Sequence, residues 1–145
     1  MRRNLAGLVA VTVLSCAGLA DAGDASPRKP HLDLRATPRV AFSPVEVLII
    51  GELKGGQDME EFYCPGLVWD WGDGSRSARE SDCSPYQDGT QLDRLFTERH
   101  AFRAPGTYSV RLFLVRAGRT VTMASVPVTV YGHLASASDG GTSDY

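Results

Sequence analysis

The sequence predicts an all-β sandwich of about seven strands, and three observations carry this prediction. No segment shows the sustained apolar repeat of 3.6 residues that an amphipathic helix requires. Several short segments instead alternate apolar and polar side chains, with turn residues between them. Residues 38–131 also have the size of one such domain.

Two strands are predicted directly from alternation with period two, at residues 45–53 and 107–115. Residues 120–131 return as the last strand, and their apolar phase changes from odd to even positions. We therefore expect a β-bulge at Ala124-Ser125. Pro127 donates no hydrogen bond, which places it on an edge strand or at the bulge. Shorter strands are expected at residues 32–36, 67–71 and 94–102.

The N-terminus predicts export. Arg2 and Arg3 precede an apolar run at residues 5–14, which is too short to span the ~30 Å hydrocarbon core of a membrane. Small residues then favour cleavage after Ala22, so residues 1–22 are predicted as a signal peptide, with a buried N-terminal helix as the alternative. A lipid anchor at Cys16 is a second alternative, although Leu14 fits a lipobox poorly. Either form of export places the protein in the periplasm, at the cell surface or outside the cell.

Composition divides the rest of the chain. Residues 23–37, rich in Pro and polar side chains, are predicted as a linker, and the polar residues 132–145 as a disordered tail. The formal net charge of −2 provides no basic field for a phosphate backbone, so nucleic acid is not expected as a partner.

Removal of the leader leaves two cysteines, Cys64 and Cys83, which predict a disulfide in an oxidising compartment. A zinc pair is the weaker alternative, because no CxxC and no paired histidines accompany them. A two-residue turn at Asp73-Gly74 would make residues 67–71 one arm of a hairpin, in a register that places the two cysteines opposite each other. We expect a hairpin closed by a disulfide.

Residues 69–75, WDWGDGS, admit three interpretations: a catalytic acidic pair, a metal loop or a hairpin tip. Asp70 points away from the face of Trp69 and Trp71, and Asp73 lies in the turn, so the two carboxylates do not face a common cleft. The spacing of a calcium loop places Trp69 and Trp71 where acidic ligands are needed. A hairpin tip on a buried aromatic strand is favoured, and neither metal nor cofactor is expected.

Two motifs resemble those of PKD (polycystic kidney disease-type) domains. WDWGDGS is similar to the family's WDFGDGS, and residues 100–112, HAFRAPGTYSVRL, resemble its HxYxxPGTYxVxL half. The resemblance covers residues 38–131 and implies an immunoglobulin-like sandwich. Members of the family act outside the cell in adhesion, in protein or polysaccharide binding, or as spacers.

The resemblance also implies structural roles. Trp69 and Trp71 would fill the core, His100 would support the Pro105-Gly106 turn, and that turn would lead into the strand of Tyr108. The full set of motif residues is Trp69, Asp70, Trp71, Gly72, Asp73, Gly74, His100, Phe102, Pro105, Gly106 and Tyr108. Residues 57–65 and an inserted acidic loop at 80–93 depart from the family pattern, so no calcium site or ligand surface is transferred.

Function is predicted as non-catalytic binding of a protein or polysaccharide. Phe62, Tyr63 and Tyr86 flank the cysteines and form a candidate ligand surface. The alternative is that these rings pack over the disulfide. A structural spacer without a ligand is the second functional hypothesis, and a small hydrolase using Asp70, Asp73 and His100 is the least favoured.

Overall fold

A computed structural model describes residues 28–133, and within this range it is an all-β, immunoglobulin-like sandwich, as the sequence predicts. One short 3₁₀ turn, Glu60–Phe62, interrupts the strands. The strands are β1 His31–Thr37, β2 Val40–Phe42, β3 Val45–Lys54, β4 Gly66–Asp70, β5 Arg76–Arg79, β6 Leu95–Phe102, β7 Gly106–Arg116 and β8 Arg119–Tyr131. The predicted signal peptide, Cys16 and the tail beyond His133 lie outside the described residues.

The strands form two sheets, with orders β1-β3-β6 and β2-β8-β7-β4-β5. All pairs are antiparallel except β2 and β8, which are parallel. Pro38, which follows a cis peptide bond, lies in the short link by which the chain leaves β1 and enters β2 in the other sheet. Among the described residues, no helix combines the length and apolar character that a membrane crossing requires.

β1 lies inside the stretch that composition predicts as a linker, residues 23–37. Leu32, Leu34 and Ala36 are buried, and the strand pairs with β3 along its whole length. Their alternation contributes one edge of the core, so the sandwich begins at β1 and not at residue 38.

The core lies between the sheets and is built by alternation on the long strands. Val47 and Ile49 of β3 and Val110 and Leu112 of β7 are fully buried in one core cluster, and the intervening positions are more exposed. Burial of these side chains stabilises the fold by about 25 cal/mol per Å² of apolar surface removed from water. The tryptophan strand supplies the largest buried side chain, Trp69.

The β-bulge lies elsewhere than expected. Leu114 pairs with Thr122 and Val115 with Thr120, so the extra residue of β8 is Val121 and not one of Ala124-Ser125. The error came from counting Met123 among the inward residues, whereas it is exposed on the outer face. From Thr122 to the end of β8, on the C-terminal side of the bulge, the even positions face the core without interruption.

The hairpin is offset by one residue from the predicted register. Trp69 lies opposite Ser77, and the Trp71 N–H donates to the Ser75 carbonyl at 3.2 Å, which leaves a three-residue loop in place of the two-residue Asp73-Gly74 turn. Gly72 has a φ of +76°, and its Cα lies against the backbone of Ser109 on β7, where a Cβ would come within 2.9 Å. Only glycine fits both this close approach and the left-handed backbone, so Gly72 belongs to the loop. The turn predicted from the sequence contains only Asp73 and Gly74.

The disulfide between Cys64 and Cys83 is present, with the Cα atoms 6.2 Å apart. β5 ends at Arg79, so the cysteines lie beyond the ladder, and the register argument for their pairing was wrong although the pairing was right. The bond joins the segment before β4 to the inserted loop.

Candidate functional site

The hairpin tip organises a cluster of polar side chains around Asp73. Its Oδ1 accepts hydrogen bonds from the Ser75 N–H at 2.9 Å and from Ser75 Oγ at 2.6 Å. Its Oδ2 lies 2.7 Å from Nε2 of His100 on β6, in the other sheet. Asp73 therefore stabilises its own loop and connects the hairpin of the five-stranded sheet to β6 of the three-stranded sheet.

His100 has contacts that the family resemblance does not describe. Its ring stacks on Trp71 with centroids 4.3 Å apart, and Trp71 continues the stack onto Trp69 at 5.6 Å. The alternation of β6 turns His100 inward, beneath the hairpin, so it supports the Gly72–Gly74 loop. Its ring also meets Phe102 edge to face at 4.8 Å, and direct support of the Pro105-Gly106 turn stays a prediction.

The pKa of Asp73 reflects the same contacts. Burial alone would raise this pKa, but the hydrogen bonds from Ser75 and His100 outweigh the burial and lower it to about 2. The carboxylate is thus charged throughout the neutral range, and both of its oxygens have hydrogen-bond partners within the cluster.

The order of groups in this cluster does not suit nucleophilic catalysis. A serine nucleophile is activated when an imidazole lies between the hydroxyl and the carboxylate. Here the carboxylate of Asp73 lies between Ser75 and His100. The Nε2 atom of His100 bonds this carboxylate and not the Ser75 hydroxyl. The arrangement orients a loop and prepares no nucleophile.

Asp70 lies on the outer face of the five-stranded sheet, away from the stacked indoles. It accepts hydrogen bonds from the Gly72 N–H at 3.1 Å and Arg76 Nη2 at 3.0 Å, and Arg111 Nη1 lies 3.9 Å away. The Gly72 hydrogen bond first, and then the two guanidinium groups, hold its pKa below the usual value despite burial. Asp70 and Asp73 therefore occupy separate environments and do not form an acid–base pair.

The Pro105-Gly106 turn is closed by Tyr108. The Tyr108 hydroxyl donates to the Ala104 carbonyl at 2.7 Å, and its ring packs on Phe102 with centroids 4.5 Å apart. These contacts fix the entry into β7.

The candidate ligand surface beside the disulfide is not an open one. Phe62 is only 2% exposed and belongs to the core, so its assignment to a ligand surface was wrong. Tyr63 and Tyr86 meet edge to face at 5.4 Å, and the Tyr63 hydroxyl donates to the Ser84 carbonyl at 2.9 Å. Arg116 also donates to the Tyr63 carbonyl. The two rings pack against each other and beside the backbone that follows Cys83, and packing on the disulfide itself stays a prediction.

A different aromatic surface emerges where β2 meets the end of β8. Val40, Phe42, Tyr131 and His133 form what we name the aromatic patch. The first three are 60%, 58% and 53% exposed, and the Phe42 ring lies 5.9 Å from Tyr131 and 5.8 Å from His133. The sequence argument missed it because β2 is only three residues long and shows no periodicity. The available signal was Tyr131, which follows the inward Val130 and must therefore face outward.

Metal ligands are not grouped in the part of the chain that the structure describes: no three His, Cys, Asp or Glu side chains come together there.

Comparison with known proteins shows which solved structure this fold resembles. Neither the protein-family models nor the curated proteins include a match to this chain. Among solved structures, it is similar to the PKD domain of an M14-like peptidase from a Thermoplasmatales archaeon, with a TM-score of 0.50 and 17% identity over 73% of this chain and 99% of that one. At this identity the likeness concerns the fold alone, and the chain has a PKD-like fold.

Proposed function

We propose that this protein is an exported, non-catalytic module that binds a protein or a polysaccharide at the cell envelope or outside the cell. The observation that carries the proposal is the aromatic patch. Phe42 and Tyr131 are more than half exposed, adjacent, and directed away from the core.

The chemistry of the patch favours binding over a structural role. Neighbouring exposed aromatic rings mark interaction surfaces because their apolar faces gain by leaving water, and flat rings pack well on sugar rings and on protein side chains. Tyr131 adds a hydroxyl, and His133 two ring nitrogens, for hydrogen bonds to hydroxyl-rich partners. Phe42 contacts Tyr131 and His133 and is not part of the core.

Export is supported by the predicted leader and by the disulfide, since disulfides persist in oxidising compartments. The intact mass of the protein recovered outside the cytoplasm tests this. A mass that corresponds to cleavage after Ala22 supports simple secretion. An added lipid mass on Cys16 supports a membrane anchor, and a full-length reduced mass contradicts export.

Binding is tested with arrays of glycans and of cell-envelope proteins, probed with the disulfide-bonded chain. The double variant Phe42→Ser with Tyr131→Ser should lower binding at least tenfold, because each lost aromatic anchor is worth more than about 1 kcal/mol. Leu95→Ser is the matched control, since Leu95 is 63% exposed and lies in the other sheet. Blank arrays, or equal losses in both variants, would contradict the proposal and leave the spacer hypothesis.

A further inference from the structure

The last strand has a long stretch of edge with which no described strand forms a hydrogen-bonded ladder, although β1 of the other sheet lies beside it. β7 pairs with one edge of β8 along its length, whereas β2 pairs with the other edge only from Thr129 to Tyr131. Among residues 28–133, no strand pairs with the outer edge from Thr120 to Val128. We call this stretch the free β8 edge.

The backbone groups that point to this edge follow from the β2 contacts. The Thr129 N–H donates to the Arg39 carbonyl at 2.8 Å, and the Tyr131 carbonyl accepts from the Ser43 N–H at 2.8 Å. Odd-numbered residues of β8 therefore direct their backbone groups outward, since the direction alternates along a strand. Met123 and Ser125 each present an N–H and a carbonyl at the free β8 edge.

Two residues limit the usable part of this edge. Pro127 has the same outward direction but no N–H, and the bulge at Val121 disrupts the ladder at the other side. Met123 and Ser125 are thus the two consecutive outward positions with both a donor and an acceptor.

Charged side chains lie on the edge strands β1, β5 and β6, but not on the short edge strand β2 or on the free β8 edge. Strands at sheet edges commonly carry charged residues that discourage pairing with another chain. β5 has arginine at two of its four positions, and β1 and β6 carry ion-paired charges such as Asp33, Arg35 and Glu98. From Thr120 to Tyr131, β8 has no charged side chain, and Met123 is 47% exposed.

We propose that the free β8 edge pairs in antiparallel fashion with the same edge of a second copy of this chain, with Met123 opposite Ser125 of the partner subunit. In this register both positions in each copy donate and accept, which gives four backbone hydrogen bonds related by a two-fold axis. The pairing joins the two five-stranded sheets into one continuous sheet.

The register is selected by the flanking residues. A shift that places Ser125 opposite itself sets Met123 against Pro127 of the partner subunit, which lacks the N–H that the Met123 carbonyl needs. A shift the other way sets Ser125 against the bulged Val121. The absence of charge suits a second copy because identical charged edges would meet like charges across the axis. This inference goes beyond the proposed binding function, since self-association requires no ligand.

Sedimentation velocity of the full disulfide-bonded chain across micromolar concentrations tests the proposal. We expect reversible dimerisation that Met123→Lys weakens at least tenfold, because two ammonium groups would be brought close to the axis. Leu95→Lys is the control, since it adds the same charge at an exposed position of the other sheet. A wild-type chain that stays monomeric, or a dimer that both variants weaken equally or not at all, would overturn the proposal.

Cross-linking tests the register itself. Directly opposed residues in a hydrogen-bonded pair have Cα atoms about 5.5 Å apart, within disulfide reach. A mixture of Met123→Cys and Ser125→Cys chains should oxidise to the mixed dimer at least several-fold faster than either variant alone. Equal rates in the mixture and in the separate variants would exclude this pairing even if a dimer forms.

Discussion

Replacement of Asp73 by Asn isolates the charge at the hairpin tip. The amide oxygen of Asn can still accept the Ser75 N–H, so the variant keeps the local turn and loses the negative charge that faces His100. We expect the variant to be less stable than the wild type, by an amount that depends on pH.

The magnitude follows from the pKa of Asp73, which folding lowers from 3.8 to about 2. Because the folded pKa is the lower one, the stabilisation is complete above the unfolded value and is lost as the pH falls through the folded value. At 1.36 kcal/mol per pKa unit, the charged form contributes about 2 kcal/mol at pH 5 and roughly half of that at pH 3. Asp73 lies at an exposed hairpin tip with its side chain 24% exposed, so solvent screening makes the figure of about 2 kcal/mol an upper bound.

Urea denaturation of both proteins at pH 5 and pH 3 measures this dependence. The gap in the free energy of unfolding between wild type and Asp73→Asn should shrink by about half between the two pH values. Other carboxylates titrate in both proteins and cancel in the difference, and Asp88→Asn in the exposed inserted loop serves as the control. A gap that is absent at pH 5, or that stays constant down to pH 3, would refute the role given to the Asp73 charge.

Three further predictions concern stability. Replacing both Cys64 and Cys83 by Ser should lower the free energy of unfolding by about 3 kcal/mol, since the bond closes a loop of 19 residues; an unchanged denaturation midpoint in the double variant would contradict this. Gly72→Ala should lower the free energy of unfolding by more than about 1 kcal/mol, because the φ of +76° and the contact with β7 both exclude a Cβ. A thermal unfolding midpoint equal to that of the wild type would count against this loop geometry. Tyr108→Phe should lower the free energy of unfolding by about 1 kcal/mol, because it removes the hydrogen bond to the Ala104 carbonyl. A variant that urea denaturation shows to be as stable as the wild type, or more stable, would argue against that bond.

The parts of the fold that follow from local chemistry could be predicted from the sequence. Alternation places Val47 and Leu112 in the core. The two cysteines that follow the predicted signal peptide, Cys64 and Cys83, are the pair that the sequence predicts and that forms the disulfide. The short β2 could not be predicted, because three residues give no period and its formation depends on the end of β8. The bulge was misplaced for a related reason, since Met123 is apolar whether it faces the core or the solvent.

The sequence predicts which residues belong to the candidate site better than it predicts how they contact one another. The sequence indicates that Trp71, Asp73 and His100 belong to structural motifs. It does not indicate that the imidazole stacks on the indole and bonds the carboxylate, because those contacts join different sheets. The aromatic patch escaped prediction in the same way, since Phe42 and Tyr131 become neighbours only when the first and last parts of the domain meet.

The parallel pairing of β2 with β8 has a mechanical consequence. Lys29 lies beside the turn that begins β8, whereas His133 follows the end of that strand, so the described chain enters and leaves at opposite poles. Tension between these two ends would shear both the β1–β3 ladder and the β2–β8 pairing along their lengths. The bonds at Arg39 and Ser43 would then be loaded together, not one after another. Resistance to such a force is set by the rate of unfolding under load and not by equilibrium stability.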